Sequence, residues 1–231
     1  FMHLGPAYAL AESGNLEAAA TLYSRPGPPQ SWTIPPFFRV PALHCAASIA
    51  IRIGRADDVA FLGEQLEHHR GGHIVGGGGV ASYHGPAELV LGRCAAALGD
   101  LQAAERDLRS ALQVATDKGL PSFDVETSCE LADVLIARRR RSEALSMLHS
   151  VAPVAERLGM TPWVDRIKDA IGATEDPLTA RERDVARPGA AGLSNREIAT
   201  GLVVSARTAG QHVPTCPSNP ALVRAAAHGR R

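Results

Sequence analysis

The chain has 231 residues, a formal net charge of zero and only 4% aromatic residues. That length allows a sizeable core in one or two domains. No run of about 18 apolar residues could span a bilayer, and the N-terminus lacks the charged-then-apolar layout of a signal peptide, so the reading is of a cytoplasmic protein with no membrane partner. The charge is unevenly divided. From Leu178 onward eight arginines face only Glu182, Asp184 and Glu197, which makes that segment +5 and the first 177 residues −5. Abundant alanine and few alternating runs of Val, Ile and Thr point to an all-α fold.

The chain opens with Phe1 and Met2 inside a helical pattern and is read as a fragment of a longer protein. Four short segments then repeat one pattern: GNLEAA from Gly14, GRADDV from Gly54, GDLQAA from Gly99 and RRRSEA from Arg139, spaced 40, 45 and 40 residues apart. Each follows one apolar helical run and precedes another, so each marks the tight turn of a helical hairpin. Glycine supplies the left-handed residue at the end of the first helix. After the third turn, Leu101, Ala104, Leu108, Ala111, Leu112 and Ala115 form one stripe, with Glu105, Arg106 and Arg109 off it. After the fourth, Ala144, Leu148, Val151, Ala155 and Leu158 repeat the arrangement, with Pro153 as a kink. One hairpin cannot bury its stripe alone but stacked hairpins can, so residues 1–172 are expected to form an α-solenoid.

The segments between these turns offer little chemistry. The Pro-rich stretch from Arg25 to Pro36 reads as a stiff connector. Glu64 and His68 have metal-compatible spacing beside Glu67 and His69, but no third ligand is evident, and a solvated helix end is expected. The run from Gly71 to Gly79 lacks the Gly-Lys-Ser/Thr ending of a phosphate loop and reads as a flexible connection. Arg138 to Arg141 stands where a helix should stop, so interaction with the helix C-terminus and with water is favoured over a nucleic-acid patch. Trp163 is expected to be an apolar lid on the last hairpin. Cys45, Cys94, Cys129 and Cys216 lack metal or redox spacing and read as reduced, small hydrophobes. No catalytic constellation, metal site or cofactor motif emerges, so no enzyme is expected.

After a linker at 173–177 the pattern changes. Thr179 with Glu182, and Ser194 with Glu197, form capping boxes, and Leu193 with Ile198 adds a hydrophobic staple. A third helix start at Ser205 follows a break at Gly201 to Val203. Helix, short turn, helix is the arrangement that lays a second helix in the major groove.

The hairpin repeats are similar to tetratricopeptide-like repeats, which implies a binding surface for protein partners. The blocks LTARERDV from Leu178, GLSNREIA from Gly192 and VSART from Val204 resemble the LuxR-type helix-turn-helix in order and spacing. That resemblance covers residues 178–231, with the motif at about 194–213, and implies a DNA-binding transcription regulator. Arg196 and the hydroxyls of Ser194 and Ser205 would then lie at the phosphates, Arg207, Thr208, Gln211 and His212 at base edges, and Asn195 among the DNA-binding residues. Together the two parts resemble the C-terminal end of large actinobacterial regulators, in which ATPase or cyclase-type domains precede the repeats.

The motif also departs from the family. Pro188 and Pro214 each cost a helix about 3 kcal/mol, and Gly189 and Gly210 about 1 kcal/mol each. The total, on the order of 8 kcal/mol, is comparable with the whole stability of so small a domain. The expectation is therefore a small, degenerate helix-turn-helix domain, weakened in DNA binding and without fixed structure after Val213. The alternative is a protein-binding repeat scaffold with a vestigial motif.

Overall fold

The computed structural model describes residues 3–76 and 82–175. The chain separates into two units at Ile171–Gly172, and the first is described by itself. Among the described residues nine α-helices occur: α1 (Leu4–Glu12), α2 (Leu16–Ser24), α3 (Pro36–Arg52), α4 (Ala56–Glu67), α5 (Ala87–Ala97), α6 (Leu101–Asp117), α7 (Pro121–Ala137), α8 (Arg141–Arg157) and α9 (Thr161–Glu175). Two strands, β1 (His73–Gly76) and β2 (Ser82–Pro86), lie between α4 and α5.

The four turns expected from the sequence are present, and their backbone explains the pattern. Gly14, Gly54 and Gly99 all have positive φ. At each, the glycine N–H reaches the carbonyl three residues back and the next N–H reaches the one five back, as in Asp100 N–H to Ala95 O at 2.9 Å. This closes the helix as a Schellman motif and satisfies carbonyls the helix end would otherwise leave unpaired. The side chains of Asn15 and Asp100 then accept from the N–H groups of Ala18 and Ala103 to start the next helix. Two further turns, at Gly119 and Gly159, use the same hydrogen bonds. From Gly99 onward the left-handed residue recurs every 20 positions, and at one of these it is Arg139, φ 63°, rather than glycine.

Helices pair in sequence order: α1 with α2, α3 with α4, α5 with α6, α7 with α8. The first helix of each hairpin also meets the first helix of the next, α1 with α3, α3 with α5 and α5 with α7, while α6 packs against α7. Small residues permit this. Ala7, Ala11, Ala19, Ala46, Ala47 and Ala50 are fully buried in the core of α1–α5, and Ala104, Ala111, Ala132 and Ala144 in that of α5–α9. At Gly92 an added Cβ would lie 2.7 Å from Cγ of Leu108, so α5 reaches α6 only because that position is bare.

The stripes are mostly as the periodicity predicts, with instructive exceptions. Ala104, Leu108, Ala111, Ala115, Ala144, Leu148, Val151 and Ala155 are buried, whereas Leu158 is 42% exposed. Glu105, expected off the stripe, is buried, as is Asp107; each carboxylate is drawn inward by arginines described below. The helix α8 continues through Pro153. The Pro-rich connector holds a 3-10 turn at Pro29–Ser31, and Trp32 donates to Gly27 O at 2.8 Å while its ring meets Tyr23 edge-on.

Part of the stretch expected as a flexible connection is instead strand β1, which pairs antiparallel with β2 beyond it, Val75 opposite Tyr83 and Gly76 opposite Ser82; residues 77–79 lie outside the described residues. A lone two-stranded hairpin is marginal in water, and this one is anchored at its base. Ile74 is fully buried, Ala87 N–H donates to Gly72 O at 3.0 Å, and Gly71 N–H donates to Oε1 of Glu88 at 2.7 Å. The His73 ring nitrogen pairs with the Tyr83 hydroxyl at 2.7 Å.

Candidate nucleic-acid interface and the polar faces of the repeat unit

The eight residues expected to meet DNA, Ser194, Asn195, Arg196, Ser205, Arg207, Thr208, Gln211 and His212, lie outside the described residues. So do Pro188, Gly189, Gly210, Pro214 and Cys216, whose effects on the motif remain the sequence-based expectations above. Among the described residues, the polar chemistry collects in two places.

One is a band across α4, α6 and α8. Arg70 donates to Oε1 of Glu67 at 2.6 Å and to Oδ1 of Asp107 at 2.9 Å, and Arg106 also reaches Asp107 at 3.0 Å. Glu105 accepts from Arg109 at 2.8 Å and from Arg138 and Arg140 at 2.6 Å each. Glu143 accepts from Arg109 at 2.5 Å and from Arg140. Burial by itself would raise the Glu105 carboxyl, but hydrogen bonds from Arg109 and Arg140 outweigh it and hold the group below its ordinary range. Asp107 is lowered in the same way, against burial, by Arg70 and Arg106. The run Arg138 to Arg141 is thus more than a solvated helix end, because two of its members are fixed by a carboxylate on α6. No periodic signal in the chain marks this, since the partners stand 33 and 35 positions apart.

The other place is a row along the first helices of the hairpins. The His44 ring of α3 lies between Tyr8 of α1, 6.1 Å between centroids, and His84 of β2, at 5.0 Å. Arg93 of α5 donates to Glu126 of α7 at 2.5 Å, and Glu130 is shared between Arg93 and Arg166 of α9. Arg166 stacks its guanidinium 5.0 Å over Trp163, which is half-buried against the second core. Burial, with His84 and Arg93 adding, lowers His44 to about 3, so the imidazole is neutral and its Nδ1 has no hydrogen-bond partner. Burial raises the thiols of Cys45 to about 11 and of Cys94 and Cys129 to about 12, which keeps them protonated and unreactive.

Neither place assembles a nucleophile with a base, and no group of three or more potential metal ligands occurs among the described residues. Glu64 and His68 are not drawn into a metal cluster. Glu67 is held by Arg70, which pulls its carboxyl below the usual value. No helix among the described residues is long and apolar enough to cross a membrane.

Comparison with known families concerns the other end of the chain. Residues 176–215 match the family model for bacterial regulatory proteins, luxR family. That segment is a LuxR-family helix-turn-helix domain by sequence, and it points to DNA-binding transcription regulation. The match spans all eight expected DNA-contacting residues and stops at Thr215, one residue beyond Pro214. No curated protein and no solved structure matches the chain.

Proposed function

We propose that the chain is a non-enzymatic, cytoplasmic transcription regulator of the LuxR type, in which a solenoid of tetratricopeptide-like hairpins acts as sensor or scaffold for a C-terminal DNA-reading domain. The observation that carries this reading is the family match over residues 176–215. Within it, Arg196 and the hydroxyls of Ser194 and Ser205 position the motif on phosphates, with Asn195 also at the DNA. Arg207, Thr208, Gln211 and His212 read base edges from the second helix. The order of helix pairing in the first unit, with first helices meeting first helices, supports the solenoid. As a fragment, the chain would follow ATPase or cyclase-type domains in its parent protein.

Selection of duplexes from a random pool by the full chain tests this reading. Enrichment of one sequence, lost in Thr208→Ala, Gln211→Ala, is the expected result. Recovery without any enriched sequence contradicts it.

The departures at Pro188, Gly189, Gly210 and Pro214 favour a second reading, a protein-binding repeat scaffold whose helix-turn-helix is vestigial. In that case the selection returns no duplex, and partners bind the repeat unit alone.

A further inference from the structure

We propose that the arginine band across α4, α6 and α8 is a second polyanion-binding surface, which holds the phosphate backbone of the same DNA that the C-terminal domain reads. The inference rests on the DNA-binding reading above and adds to it a role for the repeat unit.

Three observations carry it. First, the band reverses the local charge. Arg70, Arg106, Arg109, Arg138 and Arg140 are five linked cations against Glu67, Glu105, Asp107 and Glu143, and Arg139 and Arg141, exposed beside them in sequence, bring the surplus to three within a segment of residues 1–177 that is −5 overall. Second, the band is continuous. Arg106 and Arg109 are three apart on α6 and share one helix face, joining the Asp107 cluster to the Glu105 cluster. Third, its cations are preorganised. Glu105 and Asp107 are buried, and between them they fix Arg70, Arg106, Arg109, Arg138 and Arg140 by hydrogen bonds. Each guanidinium has five N–H donors, so donors remain to face outward in the planar geometry that suits phosphate. Arg139 and Arg141 are exposed and form no ion pair among the described residues.

A merely solvated face would explain exposed arginines but not five guanidiniums held in place by two buried acids. An acidic polypeptide has the right sign, but the chain already carries a domain whose ligand is a phosphate polymer, and the spacing of several fixed guanidiniums suits successive phosphates.

The test is fluorescence anisotropy of the full chain on a duplex that contains its selected site and extends well past it, across a salt series. The triple variant Arg106→Gln, Arg139→Gly, Arg141→Gln removes the surplus without removing the last partner of any buried acid, since Asp107 keeps Arg70. The slope of log Kd against log salt should fall by about two to three, roughly 0.9 for each phosphate no longer neutralised. The preference for the selected over a scrambled site should not change. If circular dichroism shows the triple variant unfolded, Arg106→Gln alone should lower the slope by about 0.9. An unchanged slope with the preference intact overturns the inference and leaves the proposed function standing. No DNA binding by the unaltered chain overturns both. Polyglutamate binding to the unaltered chain but not to the variant, while the salt slope for the duplex is the same in both, assigns the band to acidic polypeptides and overturns the inference as well.

Discussion

Arg140, in the turn before α8, donates to Oε1 of Glu105 on α6 at 2.6 Å, so one hairpin is tied to the next by a charge-assisted hydrogen bond. Glu105 also holds Arg138 and Arg109, and it is the carboxylate on which three cations converge. Glu105→Gln retains the shape but not the charge. It is expected to lower the unfolding free energy of the repeat unit by about 2 kcal/mol, the scale of a hydrogen bond to a charged group. Urea unfolding followed by helical circular dichroism measures it. A change within error of zero would show that these pairs are as weak as ordinary surface ion pairs.

The arginine-paired carboxyls and the buried histidine set a pH dependence with a definite sign. Glu67, Glu105, Asp107, Glu130 and Glu143 all have carboxyls held below their ordinary values by arginines. Their contribution is complete above the unfolded values near about 4 and is lost as pH falls through the lower folded ones. His44, facing Tyr8, His84 and Arg93, sits at about 3 in the fold against 6.5. Between those values the unfolded chain binds a proton that the fold excludes, so stability declines as pH falls below 6.5. One such proton gives about 1.4 kcal/mol per pH unit. His84, also lowered by burial, acts in the same direction. Unfolding at pH 7, 6 and 5 should show this decline, and His44→Leu should flatten it. Equal slopes for the two proteins would contradict the buried, neutral imidazole.

Arg139 occupies a backbone conformation that glycine holds at the equivalent turns Gly99, Gly119 and Gly159. A side chain there costs on the order of 1 kcal/mol. Arg139→Gly should therefore stabilise the unit by up to about 1 kcal/mol, partly offset by the freer unfolded chain. Gly99→Ala should destabilise it by a similar amount, and thermal melts of the two variants should move in opposite directions.

Contact between α5 and α6 depends on the missing side chain at Gly92. Its Cβ would meet Cγ of Leu108 at 2.7 Å and Cδ2 at 3.0 Å. Although alanine is the better helix former, Gly92→Ala should cost about 1–3 kcal/mol through overpacking. Gly92→Ala combined with Leu108→Val should recover part of the loss in urea unfolding.

How much of this was legible in the sequence depends on distance along the chain. The turns at Gly14, Gly54 and Gly99 could be read because a Schellman ending is encoded within a few residues, followed at the first and third by an Asn or Asp cap. The stripe of α6 was legible for the same reason, through its 3.6-residue period. Glu105 was read as off the apolar stripe, where a carboxylate usually faces solvent, and the partners that hold it from the next hairpin, Arg138 and Arg140, are remote in sequence. The hairpin β1–β2 was hidden because its glycines suggest a loop, while what holds it, the Glu88 carboxylate and buried Ile74, depends on tertiary packing. The LuxR-type segment was legible as a motif, through its capping boxes and block spacing, and the family match over residues 176–215 agrees with that.

The measurement that bears most directly on the account is the specificity ratio of the full chain, its Kd for a scrambled duplex over that for its selected duplex, compared with the same ratio for Gln211→Ala. If Gln211 reads a base edge, each good base contact contributes about 1–3 kcal/mol of discrimination, so the ratio should fall roughly 5- to 150-fold in the variant while binding to the scrambled duplex stays unchanged. An identical ratio in the two proteins would contradict base readout by Gln211 and, with it, the proposed regulator.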